Sequence, residues 1–133
     1  MTNKVNMTKD RMMQRKRRAL PPHSLEAEVN LLSGLLYNKA AWATLSSLLH
    51  RDLFYGRLHR EVFDALASLL TSHHDVTFRM LSAELRKRNS DVQNYQLQEL
   101  ELYKINAANA TRFAEIVIER YQQREAWFAE NEA

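Results

Sequence analysis

The chain has no cysteine, and it has only two glycines and two prolines in 133 residues. Without cysteine it can form neither a disulfide framework nor a thiolate metal site, so we expect a cytoplasmic, reducing location. A sheet-rich fold needs more turn residues than this, and their scarcity favours an all-α protein. No apolar run approaches the ~20 residues that span a bilayer, so no membrane association is expected.

The charge of the chain is unevenly distributed. Residues 1–18 hold seven basic side chains against Asp10, a balance of +6; because the whole chain carries +3, residues 19–133 sum to −3. The leader lacks the apolar core of a secretory signal and shows no hydrophobic periodicity, which predicts a disordered basic tail at residues 1–18. Its clustered cations are of the kind that binds nucleic-acid phosphates, although a solubilising tail is the plainer alternative. The candidate DNA-binding residues are Arg15, Lys16, Arg17 and Arg18.

The globular part begins at a clear helix start. Pro21 and Pro22 hold the chain extended, so the first helix must begin after them. Ser24 is placed to cap it, with Glu26 and Glu28 near the positive end of the helix dipole. A repeat of apolar residues at intervals of three or four then predicts a helix with one buried face. That repeat consists of Leu25, Val29, Leu32 and Leu36.

Further helices follow at short intervals, and no segment alternates with period two. The sequence predicts a compact bundle of about six short helices, all-α, with a globular domain at 19–108 and a final helix at 109–133 that packs on it. After the first helix, the expected helices are Ala40–His50, Arg57–Thr71, one capped by Asp75 or Thr77 that continues to Leu85, Val92–Tyr103, and one from near Ala110. The expected inward residues include Trp42, Leu45, Leu48 and Leu49 in the second helix, Tyr95 or Gln96 with Leu97, Leu100 and Tyr103 in the fifth, and Phe113, Ile116, Val117, Tyr121 and Phe128 in the last.

Several segments resemble the N-terminal domain of bacterial replicative DNA helicases of the DnaB family. The first is Pro21-Pro22-His23-Ser24-Leu25-Glu26-Ala27-Glu28, followed by Gly34-Leu35. The second is Asp52-Leu53-Phe54-Tyr55 with Arg57, His59-Arg60 and Phe63, which is similar to the family's Asp-Phe-Tyr segment and its following His-Arg pair. Weaker matches at 76–85 and 107–120 keep the same order, so the resemblance runs from about residue 20 to 125.

The resemblance implies a non-catalytic domain that pairs into dimers, forms the collar of a helicase hexamer, and helps dock primase and helicase loaders. It also implies that most matching positions hold the fold and that only exposed ones contact partners. The chain then resembles either a domain of a helicase or a free-standing phage or plasmid protein, with at most the start of the family's dimerisation hairpin after residue 109. The candidate partner-binding or family-motif residues are Phe54, Tyr55, Arg57, His59, Arg60, Trp127 and Phe128.

Trp127 and Phe128 stand near the end of the last predicted helix. If Phe128 continues the buried stripe, Trp127 lies about 100° around the helix, where the bundle does not cover it. An exposed tryptophan there would favour a partner surface. A fold-back of this end onto the body is the alternative.

Catalytic motifs are missing from the sequence. The ATPase motor of the helicase family needs Gly-x-x-x-x-Gly-Lys-[Ser/Thr], and neither Gly34 nor Gly56 begins such a segment. The five histidines form no pair on one helical face, so we expect no metal and no cofactor. Two functions remain: a replication interaction module that binds itself, a helicase, a primase or a helicase loader, and a small DNA-binding protein acting through its basic arm.

Overall fold

A computed structural model describes residues 20–131, and this range folds into a bundle of six α-helices and two short 3₁₀ helices without any strand. The prediction of an all-α bundle is thereby confirmed. No helix in this range is both long and apolar enough to cross a membrane. The α-helices are α1 (Leu25–Tyr37), α2 (Ala41–Leu45), α3 (Arg57–Ser72), α4 (Phe78–Lys87), α5 (Asn94–Leu102) and α6 (Ala110–Asn131), and the 3₁₀ helices are Arg51–Leu53 and Lys104–Asn109.

Helix α1 is the centre of the bundle. The Ser24 hydroxyl accepts a hydrogen bond from the Ala27 N–H at 3.1 Å, which confirms the predicted cap. Every residue at 27–36 is buried, since α3, α5, α6 and the second 3₁₀ helix all pack against α1. A helix enclosed in this way buries its polar positions too, which is how Glu28, Asn30 and Ser33 come to lie in the interior.

The predicted second helix is too long. Helix α2 ends at Leu45, and the chain turns at 46–50 before the 3₁₀ helix Arg51–Leu53. Leu48, predicted to point inward, is 56% exposed, whereas Leu49 is buried. Leu48 faces outward because the chain no longer follows α-helical geometry there: the Leu48 N–H donates to the Leu45 carbonyl, three residues back, at 2.9 Å.

Three more residues that were predicted to face the core lie at the surface. Leu25 is 47% exposed, because it lies in the first turn of α1, ahead of the enclosed residues 27–36. Tyr95 on α5 is 70% exposed, so its half-buried neighbour Gln96 is the inward alternative; Leu97 and Leu100 are buried as predicted. On α6 the buried residues are Ala110, Ala114, Val117 and Arg124. Phe128 continues that spacing but is 42% exposed, because the stripe extends past the end of the bundle. The prediction that Phe128 is buried is therefore wrong, whereas Trp127, for which exposure and a fold-back onto the body were both left open, is half-buried.

Gly34 allows α1 and α6 to approach closely. A Cβ added there would lie 2.7 Å from the Ala110 Cβ and 3.3 Å from the Ala110 Cα. Contacts this short cannot be relieved by rotating a side chain, because both atoms belong to rigid helical positions.

We expect Gly34→Ala to lower the free energy of unfolding by about 1–2 kcal/mol, because this overlap outweighs the gain of up to about 1 kcal/mol in helix propensity. Urea denaturation measures the change. Adding Ala110→Gly should restore part of the loss, so the double variant should be more stable than the two single effects added together. A Gly34→Ala variant as stable as the parent would contradict the close approach.

Candidate interaction surfaces

The segment that connects the first 3₁₀ helix to α3, residues 54–56, folds around the carboxylate of Glu28. Glu28 is buried on α1, and its carboxylate accepts hydrogen bonds from the Tyr55 N–H at 2.8 Å and the Gly56 N–H at 3.1 Å. The His59 ring donates to it from Nδ1 at 2.9 Å, since a carboxylate offers only acceptors. Two successive backbone N–H groups and one side chain from the first turn of α3 therefore donate to a single buried carboxylate.

Arg60 satisfies the carbonyl groups of the same segment. Its guanidinium donates to the Phe54 carbonyl at 3.0 Å and to the Tyr55 carbonyl at 3.1 Å. The Phe54 ring is buried with its centroid 5.1 Å from that of Phe63, and the Tyr55 ring stacks on His23 at 4.2 Å. The segment is thus held by a buried anion on its N–H groups and a cation on its carbonyls.

Arg124 of α6 makes the second cationic contact. Although buried, it donates to the Leu53 carbonyl at 2.8 Å and to the Pro22 carbonyl at 3.1 Å. The guanidinium carbon lies 5.6 Å from the Tyr55 ring centroid and 5.7 Å from that of Tyr121. One side chain therefore ties the entry to α1, the loop before α3 and the end of the bundle together.

The environment of Arg124 shifts the pKa of its guanidinium group. Burial lowers the pKa of Arg124 below its usual value, and the negative charge of Glu28 opposes that shift. Arginine nevertheless stays protonated in proteins, so the group is a fixed cation. Sequence reasoning missed it because charged residues are rarely interior. The available signal was its spacing: Arg124 follows Val117 by two helical turns.

We call Glu28, Tyr55, His59, Arg60 and Arg124 the Glu28 cluster. Of the candidate site residues, the structure brings Tyr55, His59 and Arg60 into this cluster, with Phe54 buried beside it. Arg57 lies apart and is exposed, pairing with Glu61 at 3.2 Å and Asp91 at 3.3 Å. Within the motif segment, Arg57 and Asp52 are the exposed charged residues.

The remaining candidates lie elsewhere. Trp127 and Phe128 are at the far end of α6, with their rings edge to face at a centroid distance of 5.1 Å. The four basic candidates, Arg15, Lys16, Arg17 and Arg18, fall outside the described residues. Sequence reasoning missed the exposed apolar side chains of Leu102, which is 75% exposed, and Ile105, which is 86% exposed, and the exposure of Tyr95. The seven-residue spacing of Tyr95 and Leu102 on one helical face was the signal for that pair.

Tyr37 ends α1 in a partly enclosed position. Its hydroxyl is buried and finds no hydrogen-bond partner among residues 20–131. Burial raises the pKa of Tyr37, and the negative charge of Glu101 raises it further. The group therefore stays neutral at physiological pH. Across this same part of the chain, no group of three or more acidic or histidine side chains is arranged to hold a metal ion.

Comparison with known proteins places this geometry in a family. The family described as DnaB-like helicase N terminal domain matches residues 20–119. The chain belongs to that family. The match contains α1 to α5 and the first part of α6, and with them every residue of the Glu28 cluster except Arg124. In this DnaB-like domain, Trp127 and Phe128 lie beyond the matched residues.

Individual relatives support the assignment. The chain is 36% identical over 104 residues to the replicative DNA helicase DnaB of Pasteurella multocida, covering 76% of this chain but 22% of that protein. It is 30% identical over 110 residues to DnaB of Synechocystis, covering 80% of this chain and 13% of that one. The chain thus spans less than a quarter of either helicase, and its similarity is to the N-terminal domain and not to the motor domain.

The fold also matches a solved structure. The N-terminal domain of DnaB helicase from Mycobacterium tuberculosis superposes with a TM-score of 0.76 at 29% sequence identity. The superposition covers 85% of this chain and 81% of that one. The DnaB-like bundle described above is therefore the fold of a helicase N-terminal domain.

Proposed function

We propose that this DnaB-like domain is a non-catalytic interaction module of DNA replication. It self-assembles and contacts a replicative helicase, a primase or a helicase loader, in the cytoplasm and without a cofactor or metal. Its membership of the family and the names of its relatives support a replication role. The observation that carries the interaction role is the exposure of Phe128 at the end of the α6 stripe.

The stripe on α6 gives the physical argument. Ala110, Ala114, Val117 and Arg124 follow one another at helical spacing and are buried against the bundle. Phe128 is the next residue in that series. Burial of its aromatic ring against another apolar surface would be favourable, because it would remove apolar area from water. Partially exposed aromatic side chains beside a packed core are the usual anchors of protein interfaces. We therefore assign the partner-binding surface to Phe128 and Trp127, with Arg57 as a second exposed contact.

The Glu28 cluster has a different part in this proposal. Phe54, Tyr55, His59 and Arg60 contact the interior of the same domain, so we propose that they support the fold and do not meet a partner directly. Removing them would disturb partner binding only by unfolding the segment before α3.

The experiment is a pulldown with the tagged full chain from replicating bacterial cells, probed with antibodies to helicase, primase and loader after nuclease treatment. We expect one of these to be recovered, and Phe128→Ser to reduce its recovery about tenfold or more, as loss of an interface anchor does. Leu48→Ser is the matched control, because Leu48 is a large apolar residue that is at least as exposed as Phe128 but lies in a different part of the bundle. Equal recovery with both variants would refute the assignment to α6.

A second candidate function is DNA binding through the basic tail. The balance of +6 over residues 1–18 favours it, because clustered cations gain affinity for phosphates by releasing counterions. It requires that recovery of replication proteins disappears after nuclease treatment. It also requires that replacing Arg15, Lys16, Arg17 and Arg18 by glutamine abolishes a salt-sensitive shift of duplex DNA.

A further inference from the structure

Helix α5 carries apolar side chains on two sides. Leu97 and Leu100 face the core and are buried. Tyr95 and Leu102 lie on the opposite side, largely exposed, and together with Phe78 of α4 they line a groove of about 370 Å³. A helix with a second, uncovered apolar side has more hydrophobic surface than its own bundle uses.

The groove continues towards the beginning of α1. A second depression of about 310 Å³ lies between the first turn of α1 and α5, and Glu99 lines both. Leu25 and Tyr103 provide its apolar walls, and Glu26 stands at its edge. The two depressions thus form one surface, which we call the α5 groove, from Leu25 through Glu99 to Tyr95 and Leu102.

The α5 groove is acidic. Glu26, Glu99 and Glu101 line it, and no lysine or arginine does. Within the part of the chain that the structure describes, none of the three carboxylates forms an ion pair, although eight such pairs occur elsewhere in the domain. A groove that combines uncovered apolar side chains with unpaired carboxylates suits a segment that is both basic and apolar.

Residues 1–18 are such a segment, and they are attached next to the groove. They contain seven cations, and Met12 and Met13 are separated from the Arg15–Arg18 run by Gln14 alone. The chain joins the domain at Leu20, five residues before Leu25 of the groove. An extended chain covers at most about 3.6 Å per residue, so Arg15 can reach about 18 Å from Leu20. Attachment this close makes the effective concentration of the tail at the groove high.

We propose that the basic tail, residues 1–18, binds in the α5 groove of its own chain, with its cations on Glu99 and Glu101 and its methionines against Tyr95 and Leu102. This contact is independent of the partner surface at Phe128. It has a direct consequence for nucleic acid, because cations held by the groove are not available to phosphates. DNA and the groove then compete for the same four residues, Arg15 to Arg18.

Paramagnetic relaxation measured on the full chain tests this contact. The natural sequence has no cysteine, so Gln14→Cys accepts a single nitroxide label next to the basic run. At about 20 mM salt we expect the amide signals of α5 to lose about half their intensity or more, while signals of α2 are unaffected. At about 1 M salt, where charges are screened beyond about 3 Å, the signals should recover.

Two matched double variants distinguish specific binding of the tail in the groove from general electrostatic attraction between the tail and the acidic domain. The double variant Glu99→Gln with Glu101→Gln should abolish the paramagnetic broadening of the α5 amide signals. Glu115→Gln with Glu119→Gln removes the same charge from exposed positions on α6 and should leave it unchanged. Broadening that is absent, spread evenly over the surface, or equal in both variants would overturn the proposal.

Mixing experiments identify which chain supplies the tail. A chain that carries the nitroxide but no nitrogen-15 is mixed with a chain that carries nitrogen-15 but no nitroxide. We expect no broadening of α5 in this mixture, because the contact lies within one chain. Broadening in the mixture would mean that the tail of a second copy occupies the groove, and this would overturn the proposal.

Discussion

Replacing Glu28 with glutamine is expected to lower the free energy of unfolding by about 2–4 kcal/mol. The carboxylate accepts from two backbone N–H groups and from His59, and all three donors are held in a partly buried site. Glutamine keeps the size of the side chain but offers one oxygen, and its amide N–H₂ then faces a donor. Hydrogen bonds to a buried charge are among the costliest to remove. Urea denaturation followed by circular dichroism measures the change.

Glu26→Gln is the matched control for this variant. Glu26 precedes Glu28 by two residues on α1 but is exposed and forms no ion pair among residues 20–131. Its replacement should change stability by no more than about 0.5 kcal/mol. If the two variants were equally stable, the converging hydrogen bonds at Glu28 would not support the domain.

Nuclear magnetic resonance adds a local readout of the same variant. The amide signals of Tyr55 and Gly56 should shift most, since their N–H groups lose the carboxylate. Backbone groups that remain unpaired in the interior open more often, so their hydrogen exchange should also become faster. A merely global loss of stability would speed exchange throughout the bundle.

The sequence was sufficient to predict those parts of the fold that depend on local chemistry. The two prolines and Ser24 define the start of α1 because capping and φ restriction act over a few residues. The start of α6 near Ala110 was predicted correctly for a related reason, since the apolar spacing resumes there. The family resemblance also implied that most of the matching positions hold the fold, a role that Tyr55, His59 and Arg60 have in this bundle.

The sequence was insufficient where a residue's environment is made by distant segments. Glu28 looks like an ordinary first-turn acid, and its burial is evident only when the loop before α3 folds over it. Arg124 is 71 residues from Leu53 and 102 from Pro22, whose carbonyls it binds. Apolar spacing likewise placed Phe128 inside, because periodicity shows the side of a helix and not where its packing ends.

The motif residues illustrate why resemblance alone does not locate a binding surface. Tyr55, His59 and Arg60 match the family segment, and each is used to hold the segment before α3. A position can match a family because the fold needs it, without contacting another protein. By contrast, the exposed side chains of Tyr95 and Leu102 do not hold the helices of the bundle together.

Replacing Arg124 with methionine is expected to destabilise the domain by about 2–4 kcal/mol. Methionine fills the volume of the arginine stem, so the loss reports mainly on the hydrogen bonds to the Leu53 and Pro22 carbonyls. Carbonyls left without a donor in the interior cost about 1–3 kcal/mol each. Arg124→Lys should recover only part of this, because one ammonium group does not present the planar fork that meets two acceptors. Thermal and urea denaturation measure both variants.

Arg112→Met is the control on the same helix. Arg112 is exposed and pairs with Glu115 at 3.4 Å, a surface ion pair of the kind that contributes little to stability. Because Arg124 also binds the Pro22 carbonyl, its loss should speed hydrogen exchange at the start of α1 more than in the middle of α3. Equal exchange at both places, or equal stability of the Arg124 and Arg112 variants, would mean that this buried cation does not join the end of α6 to the entry of α1.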